Sequence, residues 1–322
     1  MSKLSTAQIV NIRLEAADII SLDLKPLDHA LNAASIEAGA HIDLHLGQGL
    51  VRSYSLINPG NTEVYRVAVK LDPKSRGGSR HVHQQLRVGQ QLDISQPRNH
   101  FALHEAAEHS VLVAGGIGIT PIYSMLLRLQ QLGKSAHLLY CARSRNDAAF
   151  SQEMDTLIAS RPQALSGQYC FADEGVAVPN LKALLAGHSA STHFYCCGPA
   201  PMLDAFEQAC AELGYPHVHL ERFTPPEQVA AKAGDSYTAT LKKSGLTLKI
   251  EPGQSLLDVI LKAGVAADFS CQEGICGSCE ARVLCGEVDH RDFVLSAEEK
   301  AANRSMMICV SGCKSEHLEL DL

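Results

Sequence analysis

Three cysteines fall within nine residues late in the chain, Cys271-x4-Cys276-x2-Cys279, and Cys309 lies thirty residues further on. Three thiols in one short, Gly-rich loop demand a group for that loop to wrap. The spacing is that of plant-type [2Fe–2S] proteins, where thiolates are the soft ligands that iron needs. Gly274, Gly277 and Ser278 stand where backbone would pass close to sulfide and aim amide N–H groups at sulfur. Zinc loops favour paired short knuckles over a single triplet with one distant partner, which weighs against zinc. For the fourth ligand Cys309 is preferred, because it ends an apolar run (Met306-Met307-Ile308) that reads as a returning strand. Cys285 follows the loop too closely to return to its far side; Cys313 remains a rival.

The chain has 11 cysteines, an odd number, and no N-terminal apolar segment with a small-residue cleavage site. Metal or redox use is therefore expected rather than a disulfide framework. Cys141, Cys170, Cys196 and Cys210 sit in apolar runs and read as small core residues. A net charge of −7 and a pI near 6.1 argue against a nucleic-acid partner. The longest apolar stretches, such as 111–119, fall far short of a membrane span. The expected location is the cytoplasm.

At 322 residues the chain exceeds one ordinary core. Short strands between turns fill the first hundred residues; 42–46, 53–57 and 65–71 are examples, and their spacing predicts a small antiparallel barrel or sandwich. Near residue 110 the grammar changes to alternating strands and helices, which implies an open, mostly parallel α/β sheet. Thr120 reads as the N-cap of a helix there, with Pro121 in its first turn and Gly133 at its end. Residues 224–236 read as a linker. Beyond it come a hairpin, Tyr237–Leu241 with Leu246–Ile250, and a short helix, Leu256–Lys262, capped by Ser255 and stopped at Gly264. The predicted organisation is a barrel at 1–104, an α/β domain at 105–226, a linker at 227–236 and a cluster domain at 237–322.

Gly115-Gly116-Ile117-Gly118-Ile119-Thr120-Pro121 follows a strand and opens a helix, so its amides can face a pyrophosphate. It departs from G-x-G-x-x-G, since Pro121 stands where the third glycine would be. A second turn, Cys196-Cys197-Gly198-Pro199, also ends a strand and would lie at the carboxyl edge of the same sheet. A flavin needs a flat face, a donor near its reactive nitrogen and positive charge for its phosphate. Tyr54, Ser55 and Arg52 in Arg52-Ser53-Tyr54-Ser55 offer these, and Arg76-Gly77-Gly78-Ser79 offers a phosphate nest. By itself R-x-Y-S is a weak signal.

In order, the chain carries RSYS, RGGS, GGIGITP, CCGP and C-x4-C-x2-C with a distant Cys. That order closely resembles the phthalate dioxygenase reductase family of Rieske-oxygenase reductases (class IA), which includes vanillate demethylase and carnitine oxygenase reductases. The resemblance covers essentially the whole chain, including GEVDHRD and the C-terminal LELDL. It implies a multidomain fold: an FMN-binding antiparallel β-barrel, a ferredoxin-NADP reductase-like α/β domain and an α+β β-grasp [2Fe–2S] ferredoxin. It also implies that Arg52, Tyr54, Ser55, Ala68, Val69, Lys70, Arg76, Gly77, Gly78, Ser79 and Thr120 line FMN, with Phe223 stacking near its ring. Gly116, Gly118, Cys197, Gly198 and Pro199 would contact NADH, and Pro121 belongs to the same turn. Cys197 and Ser55 are the expected catalytic pair, acting as orienters. Where the family mostly reads HFESF this chain reads HLERF, so Arg222 changes the charge near the flavin.

The implied activity is that of an NADH-dependent oxidoreductase passing single electrons to a Rieske or non-haem iron oxygenase. The alternatives are an FAD-containing reductase of another monooxygenase and a non-catalytic iron–sulfur carrier. Arg143 and Arg145 follow the second α/β strand and keep NADPH open. His290-Arg291-Asp292 copies a kinase triplet but lacks the Asn that should follow, and reads as structural. The pairs His41/His45, His81/His83 and His217/His219 read as ordinary hydrogen-bonding residues.

Overall fold

The computed structural model describes residues 4–28, 36–61, 63–174, 180–226 and 236–322. Alternation of apolar and polar residues builds its first sheet from β1 (Ser5–Ala16), β2 (Ile19–Pro26), β3 (His41–His45), β4 (Val51–Ser55), β5 (Tyr65–Lys70) and β6 (Gln91–Ile94). The order is β4-β3-β6-β1-β2-β5, with every pairing antiparallel. A bridge between Leu56 and Val67 joins the two outer strands, so the sheet closes into a barrel without a bare edge. Ile9, Leu22, Leu24, Ile42, Leu44 and Val67 fill it. Each such side chain contributes roughly 2 kcal/mol by leaving water. The second strand starts earlier than the sequence suggests, because Leu46 and Leu50 already pair across the Gly47-Gln48-Gly49 turn. One short helix, α1 (Gly78–Gln84), sits between β5 and β6.

The second sheet is built from β7 (His109–Gly115), α2 (Ile119–Leu132), β8 (Ser135–Ala142), α3 (Ser151–Ser160), β9 (Leu165–Phe171), α4 (Leu181–Leu185), β10 (His193–Cys197), α5 (Ala200–Leu213) and β11 (Val218–Glu221). Its strands run parallel in the order β11-β10-β7-β8-β9. Helix α2 corrects one expectation: its N-cap is Gly118, not Thr120. The glycine turn winds through a 3-10 turn at Gly116–Gly118 that starts the helix early, leaving the Thr120 hydroxyl to donate back to Ile117 O. Gly133 ends it in the left-handed conformation, as expected. Ile57, Ala68 and Phe101 on the barrel side share one hydrophobic core with Ile119, Ile122 and Met125 of α2. Barrel and parallel sheet accordingly form one compact unit, Leu4–Phe223.

Thr224–Leu322 belongs to a second unit. It contains β12 (Tyr237–Leu241), β13 (Leu246–Ile250), α6 (Leu256–Lys262), β14 (Glu280–Cys285), β15 (Val288–Asp289), α7 (Ala297–Ala302), β16 (Ser305–Met307), β17 (Gly312–Cys313) and β18 (His317–Leu320). The order β13-β12-β18-β14-β16, with β12 and β18 parallel and α6 packed on the sheet, is a β-grasp. Ser255 caps α6 and a full capping box at Ser296 and Glu299 opens α7; such caps contribute about 1 kcal/mol each. Strand β16 stops at Met307, so Cys309 sits in the turn after the strand rather than at its end. The expected linker, 227–236, lies outside the described residues except for Ser236. Among the described residues no helix is long and apolar enough to cross a membrane.

Candidate functional site

Strand order in the parallel sheet reverses between β7 and β10, because the chain runs outward through β8 and β9 before returning to β7's other side. In open α/β sheets ligands bind at such a reversal, beyond the carboxyl ends of the strands. Both glycine turns lie there, since Cys197 is level with Ala114. They are packed on each other. A Cβ on Gly118 would overlap Cys197 O and stand 2.8 Å from Gly198 N. One on Gly198 would stand 3.1 Å from Gly115 Cα, and one on Gly115 2.7 Å from Pro199 Cδ. Gly116, at φ +55°, has open space where its side chain would be. The bare, forward-facing backbone fits a pyrophosphate, which asks for amides and no side chains.

Cys197 is fully buried, and burial pushes its thiol well above the usual range, with Glu221 and Cys196 adding to the effect. It cannot act as a thiolate there, which suits an orienting role. Glu221 is level with Cys197 on β11. Its Oε2 is buried without a hydrogen-bond partner, and desolvation raises the carboxyl to about 8. Sequence reading missed this residue; the only signal was its place in HLERF, where Arg222 drew notice instead. Arg222 is turned onto α5, 3.3 Å from Asp204 and 3.6 Å from Glu207, so its charge is compensated. Phe223 is exposed.

The flavin candidates gather where the barrel closes. Arg52 reaches from β4 and donates to Arg76 O at 3.1 Å, and its side chain lies where a Gly78 Cβ would be. Asp72 N donates to Ser79 Oγ, and His83 of α1 hydrogen-bonds Val69 O, so Ala68, Val69 and Lys70 of β5 adjoin the Arg76–Ser79 turn. Gly77 takes φ +98°, a conformation that favours glycine. Ser55 is buried on β4 beside half-buried Tyr54, whose phenol burial pushes up.

In the second unit four thiols come together in twos. Hydrogen bonding pairs Cys271 with Cys276 and Cys279 with Cys309, raising the first of each pair and lowering the second. Ser278 Oγ lies 3.1 Å from Cys276 Sγ, and Glu273 N donates to Cys271 Sγ at 3.3 Å. Gly274 and Gly277 take φ +70° and +73°. Among the described residues no group of three or more His, Cys, Asp or Glu is placed to hold one metal ion. Two thiols for each of two irons is the donor set a [2Fe–2S] cluster asks for. Cys285 is exposed on β14, and Cys313 bonds to Ser315; neither joins the pairs.

Two family models match: a 2Fe-2S iron-sulfur cluster binding domain over residues 239–314 and an oxidoreductase NAD-binding domain over 112–208. The chain is 46% identical to the phenoxybenzoate dioxygenase subunit beta of Ectopseudomonas oleovorans, over 100% of both chains. The solved structure of phthalate dioxygenase reductase, a modular structure for electron transfer from pyridine nucleotides to [2Fe–2S], aligns at TM-score 0.68 and 33% identity. The alignment covers 99% of this chain and 98% of that one. The chain belongs to the phthalate dioxygenase reductase family. A type IV self-sufficient cytochrome P450 monooxygenase also aligns, at TM-score 0.86 and 36% identity over 99% of this chain. This chain spans about two fifths of that protein's length, 41%.

As a phthalate dioxygenase reductase-family member the chain is an NAD-binding oxidoreductase with a [2Fe–2S] domain. Thr120 and Pro121, expected to face a cofactor, are both buried in the first turn of α2. Thr120 spends its hydroxyl on Ile117 O.

Proposed function

We propose that this chain takes hydride from NADH on FMN and delivers single electrons through its own cluster to a terminal oxygenase of the Rieske or non-haem iron class. The division of labour follows the predicted domains: 1–104 for flavin, 105–226 for nucleotide and 237–322 for the cluster. When bound, the flavin and cluster supply the conversion of a two-electron donor into one-electron deliveries. The chain's own residues bind and orient. Gly116, Gly118, Gly198 and Pro199 seat the nucleotide with backbone. Cys197 and Ser55 orient the reacting rings. Arg52 with Arg76, Gly77, Gly78 and Ser79 receives the flavin phosphate, Tyr54 and Phe223 supply aromatic faces, and Ala68, Val69 and Lys70 complete the flavin lining. Cys271, Cys276, Cys279 and Cys309 hold the irons.

The observation that carries this reading is the two-by-two grouping of the thiols in the same chain as a glycine-walled nucleotide crevice. Cys276→Ser tests it. The variant is expected to lose NADH-dependent cytochrome c reduction by roughly 100-fold or more while NADH still bleaches the flavin. Loss of both activities would contradict the order of relay. Mass measurement of the extracted flavin separates FMN from FAD. Capture of an oxygenase from the native host supports the partner; a cytoplasmic site of action goes with it.

A further inference from the structure

The GEVDHRD segment is not absorbed by ligand or nucleotide binding, yet it holds a buried pair of ionisable side chains, His290 and Asp292. Asp292 has a fully buried side chain and His290 one that is 9% exposed. Asp292 Oδ2 is occupied, accepting from Val294 N at 3.2 Å and Leu295 N at 2.9 Å. Its Oδ1 has no hydrogen-bond partner, nor does either nitrogen of His290, and Oδ1 and Nδ1 face each other at 3.6 Å. Three unmatched polar atoms in one buried pocket are unusual, because each forfeits its bonds to water.

The other charges around the pair do not resolve this. Lys300 of α7 stays 3.8 Å from Asp292 Oδ2 and donates to Asp292 O at 2.6 Å instead. Arg291 turns away to Asp289, at 2.7 Å from Nε, and its backbone N–H is held by Ser311. A proton on His290 would give Asp292 Oδ1 a cationic donor and convert the unmatched contact into a charge-assisted bond.

The pocket also abuts the cluster loop. Phe293 N donates to Gly274 O at 2.9 Å, and a Cβ on Gly274 would stand 3.2 Å from Asp292 Cα. Gly274 lies inside the loop between Cys271 and Cys276, and its amide also serves Cys309. One peptide therefore separates the pair from the ligands.

We propose that His290, which faces Asp292, is the proton-accepting group coupled to reduction of the [2Fe–2S] centre. The inference rests on the cluster assignment above. One electron, supplied from NADH, converts one ferric ion to ferrous; one proton from solvent goes onto the imidazole, so the charge added to the loop is matched. When the partner withdraws the electron, the proton returns to solvent. No bond other than N–H forms or breaks. His290 is a positioning residue for charge and touches no reacting atom.

The test is the midpoint potential of the cluster in the full holoprotein, followed by its ferrous-state electron spin resonance signal between pH 5.5 and 9. Wild type is expected to become harder to reduce as pH rises, with up to one proton taken per electron. His290→Gln should flatten that dependence at equal iron content. A wild-type potential independent of pH overturns the proposal without need of any variant, as does an unchanged slope in His290→Gln. Absence of the cluster signal altogether would overturn the iron–sulfur reading, and this inference with it.

Discussion

At the crevice between β7 and β10 the glycines pack so closely that no added atom fits: Gly118 lies against Cys197 O and Gly198 N, and Gly115 and Gly198 lie against each other and the Met202 sulfur, while among the described residues nothing stands within 4 Å of where a Gly116 side chain would begin. In the cluster loop donor side chains take over, with the thiols grouped two by two and the backbone bent at Gln272, Gly274 and Gly277, all at positive φ. A phosphate is held by shape and amide dipoles, whereas iron is held by donor atoms. The crevice should therefore be broken by any added atom, and the loop by a change of donor or of bend.

The largest effect is expected at Gly118. Its missing Cβ faces Cys197 O and Gly198 N, backbone that is itself locked in a strand end and a second turn, so neither side can retreat. Gly118→Ala should cost about 3 kcal/mol. That is roughly 6–12 °C in the melting temperature of a unit this size. NADH-dependent flavin reduction should fall about 100-fold while the iron content stays that of wild type. Full activity in the Gly118→Ala variant would mean the turns do not form the nucleotide wall.

Gly274→Ala comes next and strikes the other region. The residue adopts φ +70°, and a Cβ would stand 2.7 Å from Val310 Cγ2 and 3.2 Å from Asp292 Cα. The side-chain neighbour can yield but the backbone cannot. A loss of about 2 kcal/mol is expected, read as reduced iron content per chain with NADH bleaching of the flavin intact. Normal iron loading would show that the bend is not needed for the thiols to converge.

How much of this was legible in the sequence follows the same contrast. Cysteine spacing is a local signal: Cys271, Cys276 and Cys279 lie within one loop, and the paired arrangement with Cys309 needed only one long-range guess. Strand runs and the Gly133 stop were likewise local, and the sheet classes could be read from their periodicity. The crevice is different. Two turns separated by about eighty residues had each been recognised, but that Gly118 excludes a methyl because of Cys197 O is a fact of packing. Thr120 was misplaced because a 3-10 turn can begin a helix without a side-chain cap. Glu221 and the buried His290–Asp292 contact carry no periodic or motif signal, since burial without a partner is visible only in three dimensions.

The far edge of the parallel sheet sharpens the contrast by pH. His193 begins β10 and is stacked between His104 and His217, at 4.4 and 4.3 Å between ring centres, with His219 3.1 Å from its Nδ1. Burial, then the neighbouring histidines, push His193 and His219 down to about 4. The unfolded chain therefore binds more protons than the folded one between about 6.5 and 4. Stability is present above that window and is lost as pH falls through it. Thermal melts at pH 7 and pH 5 should show this drop, and His193→Gln should shrink it. Equal slopes in variant and wild type would place the acid sensitivity elsewhere.

Glu221 gives the finest division of the contrast, because it puts one ionisable side chain beside the nucleotide crevice. Its carboxyl is raised by desolvation from 4.5 to about 8, so the folded chain holds the extra proton. The sign is opposite to that of the histidines: stability is fully present below about 4.5 and is lost as pH rises towards about 8. Glu221→Gln removes the ionisable group and keeps the shape, while still leaving a buried amide short of partners. The variant should be the more stable form at pH 8, with no difference from wild type at pH 4.5. Melts of wild type and variant should therefore converge in acid and diverge in base. Curves that stay parallel across that range would mean that Glu221 is charged and solvated, and that the crevice beside Cys197 is wetter than its packing implies.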